Sequence, residues 1–524
     1  MRKKEPLNVR LNLVDRLIGQ FSPQATARRY AARIAIGNME RAYDGAKKGR
    51  TTDGWKTASG SADSEIAPSA ALLRDRMRDL VRNNPTAARA VSVLVNNMVG
   101  TGIRPRAAGK SKAANRKVDA LFEAWSQVCD ADGHTDFYGQ QALAIRSMIE
   151  GGDAFAMRRR RRPSDGLPVP LQIQLMEVDH LDASKNEDRG NTRIRQGIEY
   201  DAIGHRIAYW LYRDHPGDNL PILSRRFESE RVEASRIAHV FERQRLQSRG
   251  VPWGTPALRA LRDVDDWQVA ELVRKKTEAC LVGVVLGADE DQQSIAPTVE
   301  DSEGNVIEQF EPGMIAYARG GKDIKFNSPA STAGVYEWHS VMLHIVAAGF
   351  RVPYELLTGD LRQVNFSSSR VGLNEFRRMV EAMQWQLIIP MYCQPIWEWF
   401  CESAFAAGLI ATPTIPVEWA PPKFDSVNPL QDATTDLLEV RSGFATPQQM
   451  IAKRGYDPRL VMEEWQAWAK DADAAELVFD SDPRRVSKGG QAQATDPLDP
   501  DTGEPVTKEP ADKAPGSKTE GEPK

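Results

Sequence analysis

The stretch TPALRALRDVDDWQVAELVRKKTEA, residues 255–279, predicts one long amphipathic helix and constrains the fold more than any other feature. Thr255 suits a helix cap, and Pro256 suits the first helical position. At roughly 1.5 Å per residue, the helix is about 37 Å long. One apolar stripe runs along it, made of Leu258, Leu261, Val264, Trp267, Ala270 and Val273. A second helix, VYEWHSVMLHIVAAG, follows an intervening stretch of short strands and Gly/Pro turns.

The composition describes a soluble protein that is too long for one ordinary core. With 524 residues, we expect about two to four domains or sub-domains. The formal net charge is only −3, so any contact with DNA is local or works by enclosure. The four cysteines are too scattered for a disulfide framework, and buried thiols are the favoured interpretation. We expect no signal peptide and no membrane span, which predicts a cytoplasmic or particle-bound protein.

In the region before the long helix, the spacing of the apolar residues changes from a helical period to the period of strands. Two helices in LLRDRMRDLVRNNPTAARAVSVLVNNMVG meet at Asn84 and Pro85, and two more helices follow. DAFAMRRRRR and VPLQIQLMEV then predict a hairpin, GIEYD and RIAYWLY a second one, and RIAHVF a further strand. For Arg158–Arg162 two interpretations stay open, a nucleic-acid contact or a solvated strand edge with local acidic partners.

The region after the second helix is mostly helical. The run SRVGLNEFRRMVEAMQWQLIIPMYCQPIWEWFCESAFAAG predicts a very long helix, which we expect to kink because Pro390 and Pro395 lie inside it. TIPVEWAPPKF predicts a strand. Two helices joined at GYDP come next, and the polar, apolar-poor sequence from Ser487 onward predicts disorder.

The motifs argue against an enzyme. ARGGKD lacks the first Gly and the final Ser/Thr of a phosphate-binding loop, and no GxSxG surrounds Ser367 to Ser369. SSSR ends in Arg, which cannot act as a base, and the carboxylates of Asp263, Asp265 and Asp266 are spread around a helix. The second helix of a candidate helix-turn-helix carries two glutamates that would repel phosphate. We therefore predict no catalytic residues, no metal and no cofactor.

Several stretches resemble the lambda-type portal proteins of tailed double-stranded DNA bacteriophages. These are LLRDRMRDLVRNNPTAARAVSVLVNNMVGTGIRPR, LQIQLMEVDHLD, RIAHVFERQRLQSRGVPWGTPALRAL and IVAAGFRVPYELLTGDLRQVNFSSSRVGLNEFRR. The last one includes the Val-Pro, the Gly-Asp and the Asn-x-Ser-Ser-x-Arg arrangement. The resemblance runs from about Trp55 to Trp465, in the family's order.

The resemblance implies an α+β portal fold built in layers. The layers would be an α/β wing, a two-helix stem, a small β-containing clip, a long kinked helix and a helical crown. The expected boundaries are a basic N-terminal arm at 1–60, wing at 61–254, stem helices at 255–279 and 333–349, clip at 280–332, tunnel loop at 350–368, kinked helix at 369–408, wing strand at 409–427, crown at 428–486 and disordered tail at 487–524.

The resemblance also implies which residues meet DNA. The tunnel loop would project into the channel and present Asp360, Arg362, Gln363, Asn365 and Ser367 to the phosphate backbone. A serine, Ser368, would cap the long helix behind it. We expect mixed or negative charge on the channel-facing stem, with Asp263, Asp266 and Glu271 as candidates, because a strongly basic lining would hold the DNA at every step.

The implied assembly is a ring, usually dodecameric, at the unique capsid vertex, through which double-stranded DNA passes without sequence recognition. Implied partners are the terminase large subunit, the major capsid and scaffold proteins and the head-completion proteins, but no membrane. The expected location is the virion, with assembly in the host cytoplasm. A non-ring capsid scaffold or adaptor is the alternative, and a nucleic-acid-processing enzyme a further one.

Overall fold

The structure, a computed structural model, describes residues 59–218, 228–279, 334–362, 365–424, 428–456, 458–479 and 482, and five short strands between 283 and 326. It divides into two units, Met1–Pro68 and Ser69–Lys524. In the first unit the described element is helix α1 (Ala62–Ile66), capped by the Ser61 hydroxyl. Residues 1–58 of the predicted arm and the predicted tail at 487–524 lie outside the described residues.

The second unit opens with helices, as the sequence predicts. Asn84 caps the second of them by accepting hydrogen bonds from the backbone N–H groups of Thr86 and Ala87, which confirms the predicted boundary. Pro85 occupies the first helical position, where its missing N–H leaves no orphan donor. The elements are α2 (Ala70–Asn83), α3 (Pro85–Met98), β1 (Arg104–Ala107), α4 (Lys112–Ser126) and α5 (Phe137–Gly151).

Two antiparallel sheets follow, and they contain both predicted hairpins. The first has the order β3-β2-β9, from strands β2 (Asp153–Arg160), β3 (Leu171–Glu177) and β9 (Ile237–Phe241). The second runs in chain order through β4 (Glu187–Asp188), β5 (Arg193–Arg195), β6 (Ile198–Tyr200), β7 (Arg206–Tyr212) and β8 (Ser229–Glu233). RIAHVF therefore pairs with the arginine-rich strand rather than with its neighbour in sequence.

The main core joins these helices and the first sheet to the long helical run near the C-terminus. Phe122 lies 5.0 Å from Phe400 and 5.4 Å from Trp397, ring centre to ring centre. The Trp125 indole, fully buried, donates a hydrogen bond to the Leu171 carbonyl at 2.8 Å. A smaller core, around Phe155 and Tyr209, lies between the two sheets. Aromatic packing thus fixes elements that are far apart in sequence.

The long helix predicted at 255–279 is α6 (Leu258–Ala279), preceded by a 3-10 turn over Thr255–Ala257. The prediction that Thr255 caps the helix is wrong, because its hydroxyl donates back to the Pro252 carbonyl at 2.6 Å. The predicted second helix is α7 (Val335–Phe350), whose Trp338 packs against Trp267 of α6 at 4.2 Å.

Short strands lie between the two helices, as expected for this stretch. In one sheet β10 (Gly283–Gly287) pairs in parallel with β13 (Ile315–Tyr317) and antiparallel with β14 (Gly321–Phe326). In a separate ladder β11 (Thr298–Glu300) and β12 (Val306–Glu308) pair antiparallel. These strands make the insertion between α6 and α7 a β-containing element.

The long helical run contains a π-helical segment where we predict a kink. Helix α8 (Tyr354–Thr358) is a single turn, and α9 (Phe366–Met383) continues through a π-helix at Gln384–Cys393 into α10 (Gln394–Ala406). Pro390 lies within the π-helix, and the Gln394 N–H bonds the Ile389 carbonyl, five residues back. Pro395 falls in the first turn of α10, where a proline disrupts nothing.

The C-terminal part adds a strand and three helices. Strand β15 (Val417–Ala420) pairs antiparallel with β1, with Arg104 opposite Ala420. The helices are α11 (Pro429–Arg441), α12 (Pro447–Lys453) and α13 (Pro458–Ala474). The sequence predicts the last two and misses α11, although Asn428 caps it and Pro429 occupies its first turn.

Candidate functional site

The predicted loop at 350–368 is shorter than expected and begins with a fixed turn. Phe350 still belongs to α7, α8 occupies Tyr354–Thr358, and α9 already begins at Phe366. The Thr358 hydroxyl donates to the Tyr354 carbonyl at 2.9 Å and accepts the Asp360 N–H at 3.1 Å. Gly359, with φ 72°, allows the chain to leave α8 in the left-handed conformation.

Asp360, Arg362 and Tyr336 form a cluster, the loop clasp, which ties this turn to the start of α7. The Arg362 guanidinium donates to both carboxylate oxygens of Asp360, at 2.9 and 2.8 Å, and its backbone N–H donates at 3.1 Å. The Tyr336 hydroxyl donates to the same carboxylate at 3.0 Å, and the guanidinium lies 4.5 Å from the Tyr336 ring centre. These bonds hold the pKa of Asp360 well below its usual range and raise the pKa of Arg362.

The structure brings two of the predicted loop residues together and corrects a third. Asp360 and Arg362 are bonded to each other, so the arginine already has an anionic partner. The prediction that Ser368 caps the long helix is wrong, because α9 begins at Phe366 and the capping position falls to Asn365. Asn365 is exposed, whereas Gln363 and the side chain of Ser367 lie outside the described residues. Sequence reasoning missed Tyr336, for which no local signal exists.

The acidic residues predicted along α6 are each paired with an arginine of the same helix. Asp263 lies 3.9 Å from Arg259, Asp266 lies 3.1 Å from Arg262, and Glu271 lies 2.6 Å from Arg274. The helix carries five basic residues (Arg259, Arg262, Arg274, Lys275, Lys276) and five acidic ones (Asp263, Asp265, Asp266, Glu271, Glu278), so its formal charge is zero. The expectation of mixed charge fits this balance, although the orientation of these side chains toward a channel remains a prediction.

The far half of α6 leaves apolar side chains uncovered. Leu258, Leu261 and Val264 are buried, whereas Val269 is 60 % exposed and Leu272 is 54 % exposed. On α7, Val341 is 60 % exposed and Ile345 is 50 % exposed. None of the residues from Asp265 to Lys276 in α6 is buried, so the apolar side chains of this half of the helix meet solvent in the single chain.

The arginine run at 158–162 divides between the interior and the surface. Arg158 is buried, and it donates to Glu402 at 2.5 Å and to the Ser403 hydroxyl at 3.1 Å. Arg159 donates to the side-chain oxygen of Gln174, and Arg161 to that of Gln172 at 2.7 Å. Arg158 therefore has the acidic partner that one interpretation predicts, but it is buried rather than at a solvated edge. The charges of Arg159 and Arg161 meet neutral acceptors.

A buried polar network that sequence reasoning missed surrounds Asp153 at the start of β2. Arg249 donates to its carboxylate at 2.8 Å, the Gly250 N–H donates at 2.6 Å, and His239 Nε2 lies 3.0 Å away. Burial alone would raise the pKa of Asp153, but Arg249 and His239 outweigh burial and hold that pKa well below its usual range. The network ties the segment leading into α6 to the first sheet.

One group of side chains has the composition of a metal site. Glu177, Asp179 and His215 place their ligand atoms within 4.8 Å of one another. However, Arg78 donates to both carboxylates, at 2.5 and 2.7 Å, and Arg74 lies 3.0 Å from Asp179. Guanidinium groups therefore occupy the positions from which these carboxylates would bind a cation.

The described cysteines are poor nucleophiles. Burial raises the pKa values of the Cys129 and Cys393 thiols, and it raises that of Cys401 to about 12. At neutral pH these thiols stay protonated, whereas thiol chemistry needs the thiolate. Among the helices that the structure describes, none combines the length and the apolar character needed to cross a membrane.

Comparisons with known proteins agree on one family. Residues 48–384 match the family described as phage portal protein, lambda family. A probable portal protein of Halomonas phage phiHAP-1 is 27 % identical over 447 residues, covering 80 % of this chain and 84 % of that protein. Portal protein B of Escherichia phage lambda is 20 % identical over 494 residues, covering 83 % and 91 %.

Among solved structures, the neck of a native gene transfer agent particle, computed with C12 symmetry, matches with a TM-score of 0.43 and 15 % identity. That match covers 73 % of this chain and 94 % of the other. The family match spans well over half of the chain and includes α2 to α9. The chain therefore belongs to the lambda family of phage portal proteins, which are structural components of the capsid.

Proposed function

We propose that this chain assembles into a closed ring, dodecameric as is usual for the family, at the unique vertex of the capsid. Double-stranded DNA would pass through the ring during packaging and again during ejection. The observation that carries the ring is that both α6 and α7 expose apolar side chains, among them Val269 and Leu272 on α6 and Val341 on α7. Fully burying an exposed side chain of this size contributes about 1.5–3 kcal/mol, and since these are about half exposed, each contributes about half of that at every contact around a ring.

The corrected elements supply the proposed layers. The helices and two sheets up to residue 254, with β1 paired to β15, form the wing. Helices α6 and α7 form the stem, the strands between them the clip, and α11 to α13 the crown. In this arrangement the loop clasp turns the chain at the end of the stem. It presents the tunnel loop to DNA, and Leu361 beside it is 67 % exposed.

The charge balance of α6 supports a conduit rather than a tight DNA-binding protein. Each phosphate that a protein neutralises adds to affinity and to salt dependence, so an unbalanced basic lining would retain the DNA. Ion pairs within the helix neutralise Asp266 and Glu271. Contacts with the backbone, without base recognition, are then weak enough for sliding.

The proposed partners follow from the same layers. The clip would dock the terminase large subunit during packaging and head-completion proteins afterwards. The wing and crown would face the major capsid and scaffold proteins. Assembly would take place in the host cytoplasm, and the mature location would be the capsid vertex of the virion.

Native mass spectrometry with negative-stain imaging of the purified protein tests the ring. The wild type should form closed rings with a central hole wide enough for duplex DNA. Leu272→Asp should give folded monomers, because it places a charge in the proposed interface. Ile203→Asp is the matched control, since Ile203 is 91 % exposed in a turn of the five-stranded sheet and should leave the ring intact.

Three results would contradict the proposal. A wild type that stays monomeric with capsid and scaffold proteins present would support a non-ring adaptor instead. Rings of Leu272→Asp as stable as those of the wild type would show that the exposed face of α6 lies outside the subunit interface. Nuclease or ATPase activity of the purified chain alone would favour an enzyme.

A further inference from the structure

A group of arginines at the end of the first sheet forms a surface that the channel proposal does not use. We call Arg159, Arg161 and Arg236 the basic patch. Arg159 and Arg161 are two residues apart at the end of β2 and share one face of the chain. Their Cα atoms are separated by roughly 6.6 Å. Arg236 immediately precedes Ile237, which pairs with Met157 of β2.

The charges of neighbouring arginines act on the guanidinium of Arg159. Burial, together with the charges of Arg236, Arg161 and Arg213, lowers the pKa of Arg159. Asp132 is the acidic group that opposes this effect. Repulsion between like charges is costly in a folded protein, and it falls when an anion lies among them. The patch is therefore electropositive.

Two glutamines hold the arginines without cancelling their charge. Gln174 accepts from Arg159, and Gln172 accepts from Arg161. The Gln172 amide in turn donates to the carbonyls of Val128 and Asp130, at 3.0 and 2.9 Å, which fixes its orientation. A neutral acceptor uses one edge of each guanidinium and leaves its other N–H donors for a ligand. The two arginines are thus preorganised for an external anion.

The side chains exposed around the basic patch favour a nucleic-acid ligand over an acidic protein. Protein interfaces have an apolar core, often with aromatic residues. Along residues 158–181 and 228–245, two described stretches that contain the patch, no large apolar side chain is exposed, and beside them lie Val128, 39 % exposed, whose carbonyl accepts from Gln172, and Leu246, 87 % exposed. Two separate apolar side chains do not form an apolar interface core. Arginine forks suit phosphate oxygens, and a sequence-independent phosphate contact needs no apolar component.

We propose that the basic patch binds the phosphate backbone of duplex DNA at a surface outside the channel. The choice of duplex DNA among polyanions rests on the proposed function, since the particle then encloses DNA. The patch differs from the proposed channel in charge, because α6 is neutral whereas Arg159 and Arg161 of the patch bond neutral glutamines. It would hold DNA, whereas the channel would let DNA slide.

A covalently closed duplex minicircle tests the patch, because closed DNA cannot thread through a ring. Its binding to the assembled protein is measured by fluorescence anisotropy over a range of salt concentrations. Arg159→Gln/Arg161→Gln/Arg236→Gln should weaken binding roughly tenfold or more at low salt, and should lower the slope of log K against log salt by about 0.9 for each phosphate contact removed.

A matched control removes three exposed arginines from the other sheet, as Arg189→Gln/Arg193→Gln/Arg195→Gln. Arg189 and Arg195 pair with Glu187 and Asp188, so the control should bind the minicircle as the wild type does. A second variant, Arg159→Lys/Arg161→Lys/Arg236→Lys, keeps the charge and should keep most of the salt slope. If the triple Gln variant does not fold, the triple Lys variant still allows the salt dependence of binding to be measured.

The possible outcomes either support or contradict DNA binding at the basic patch. Equal loss in the Gln variant and the control would overturn the proposal. Polyglutamate that binds at the patch while the minicircle does not would overturn it in favour of an acidic protein partner. If the wild type proves monomeric but the minicircle still distinguishes the variant from the control, the basic patch stands and the ring proposal fails.

Discussion

At the scale of single residues, the loop clasp shows how one carboxylate organises a turn. Asp360 accepts from Arg362 and from Tyr336, and the two donors lie on different elements. Asp360→Asn removes the charge and half of the acceptor capacity, so the turn should loosen and the Arg362 guanidinium should become free. Amide hydrogen exchange at residues 359–362 should accelerate, with Asp266→Asn as the control. Unchanged exchange would show that the clasp does not order the turn.

The clasp also illustrates what sequence can and cannot give at this scale. Asp360 and Arg362 are two residues apart beside a glycine, so their pairing has a local signal. Tyr336 is 24 residues away in sequence, and only the antiparallel return of the chain from α7 through α8 brings its hydroxyl to Asp360. The cap at Ser368 fails for a different reason. Asn365 is as good a cap as serine, and several polar residues in a row leave the helix start undetermined by type alone.

The Asp153 network gives a second prediction for a single residue. Asp153→Asn leaves Arg249 buried without its partner and should lower the free energy of unfolding by about 3–5 kcal/mol. Asp188→Asn breaks an exposed pair with Arg195 and should cost less than about 1 kcal/mol. Urea denaturation measures both. A loss for Asp153→Asn no larger than that of the control would mean that the network does not stabilise the fold.

Acid should weaken the same network in a defined order. Burial lowers the pKa of His239, so below about 6.5 the unfolded chain takes up a proton that the folded chain resists, and stability falls. The pKa of Asp153 is depressed as well, so its contribution is present above about 3.9 and is lost as the pH falls further. Thermal unfolding between pH 7 and 5 should show the first loss, and His239→Gln should flatten it. A pH dependence that is the same in this variant would exclude His239 as its source.

At the scale of elements, a close approach of α7 to the start of α6 depends on a glycine. A Cβ at Gly349 would lie 2.7 Å from the Ala257 Cβ and 3.2 Å from its backbone nitrogen. Gly349→Ala should therefore destabilise by about 1–3 kcal/mol, which outweighs the gain of up to about 1 kcal/mol in helix propensity.

Gly372→Ala is the matched control for this packing argument. Gly372 lies in α9, and a Cβ there meets no atom within 4 Å. The same substitution should then stabilise by up to about 1 kcal/mol, because only the propensity term remains. Denaturant midpoints of the two variants should shift in opposite directions. Shifts of the same sign would show that the approach of α7 to Ala257 is not tight.

Most elements with a local signal were predictable, with α11 as the exception, whereas the pairings between distant strands were not. The hairpins alternate with a period of two, and α6 and α7 carry clear apolar stripes. By contrast, β1 pairs with β15 across more than three hundred residues of sequence, and β2 takes β9 as its partner across an entire second sheet. The π-helix could not be predicted either. Pro390 predicts an interruption of the α-helix, but the packing of the surrounding aromatic core determines that this interruption is a π-helix.

At the scale of the whole molecule, assembly multiplies small differences in charge. The five acidic and five basic residues of α6 leave the helix neutral, and each candidate acid is bonded within the helix. Repeated around a ring, one unpaired cation per subunit would become a circle of phosphate-binding sites. The neutral charge of α6 therefore matters for DNA binding only when the helix is repeated around the proposed ring.

Asp266→Lys tests this argument. The substitution changes the charge of each subunit by two and leaves Arg262 without its carboxylate, so DNA in the channel would meet paired cations from every copy. Packaging driven by the terminase motor should slow, and the slowing should shrink as salt rises, because counterions then compete for phosphate. Asp188→Lys makes the same change on the five-stranded sheet and should leave the packaging rate unaltered. Equal rates for Asp266→Lys and the wild type at low salt would mean that this face of α6 does not meet the DNA, and the channel lining would have to be sought on α7 or the loop clasp instead.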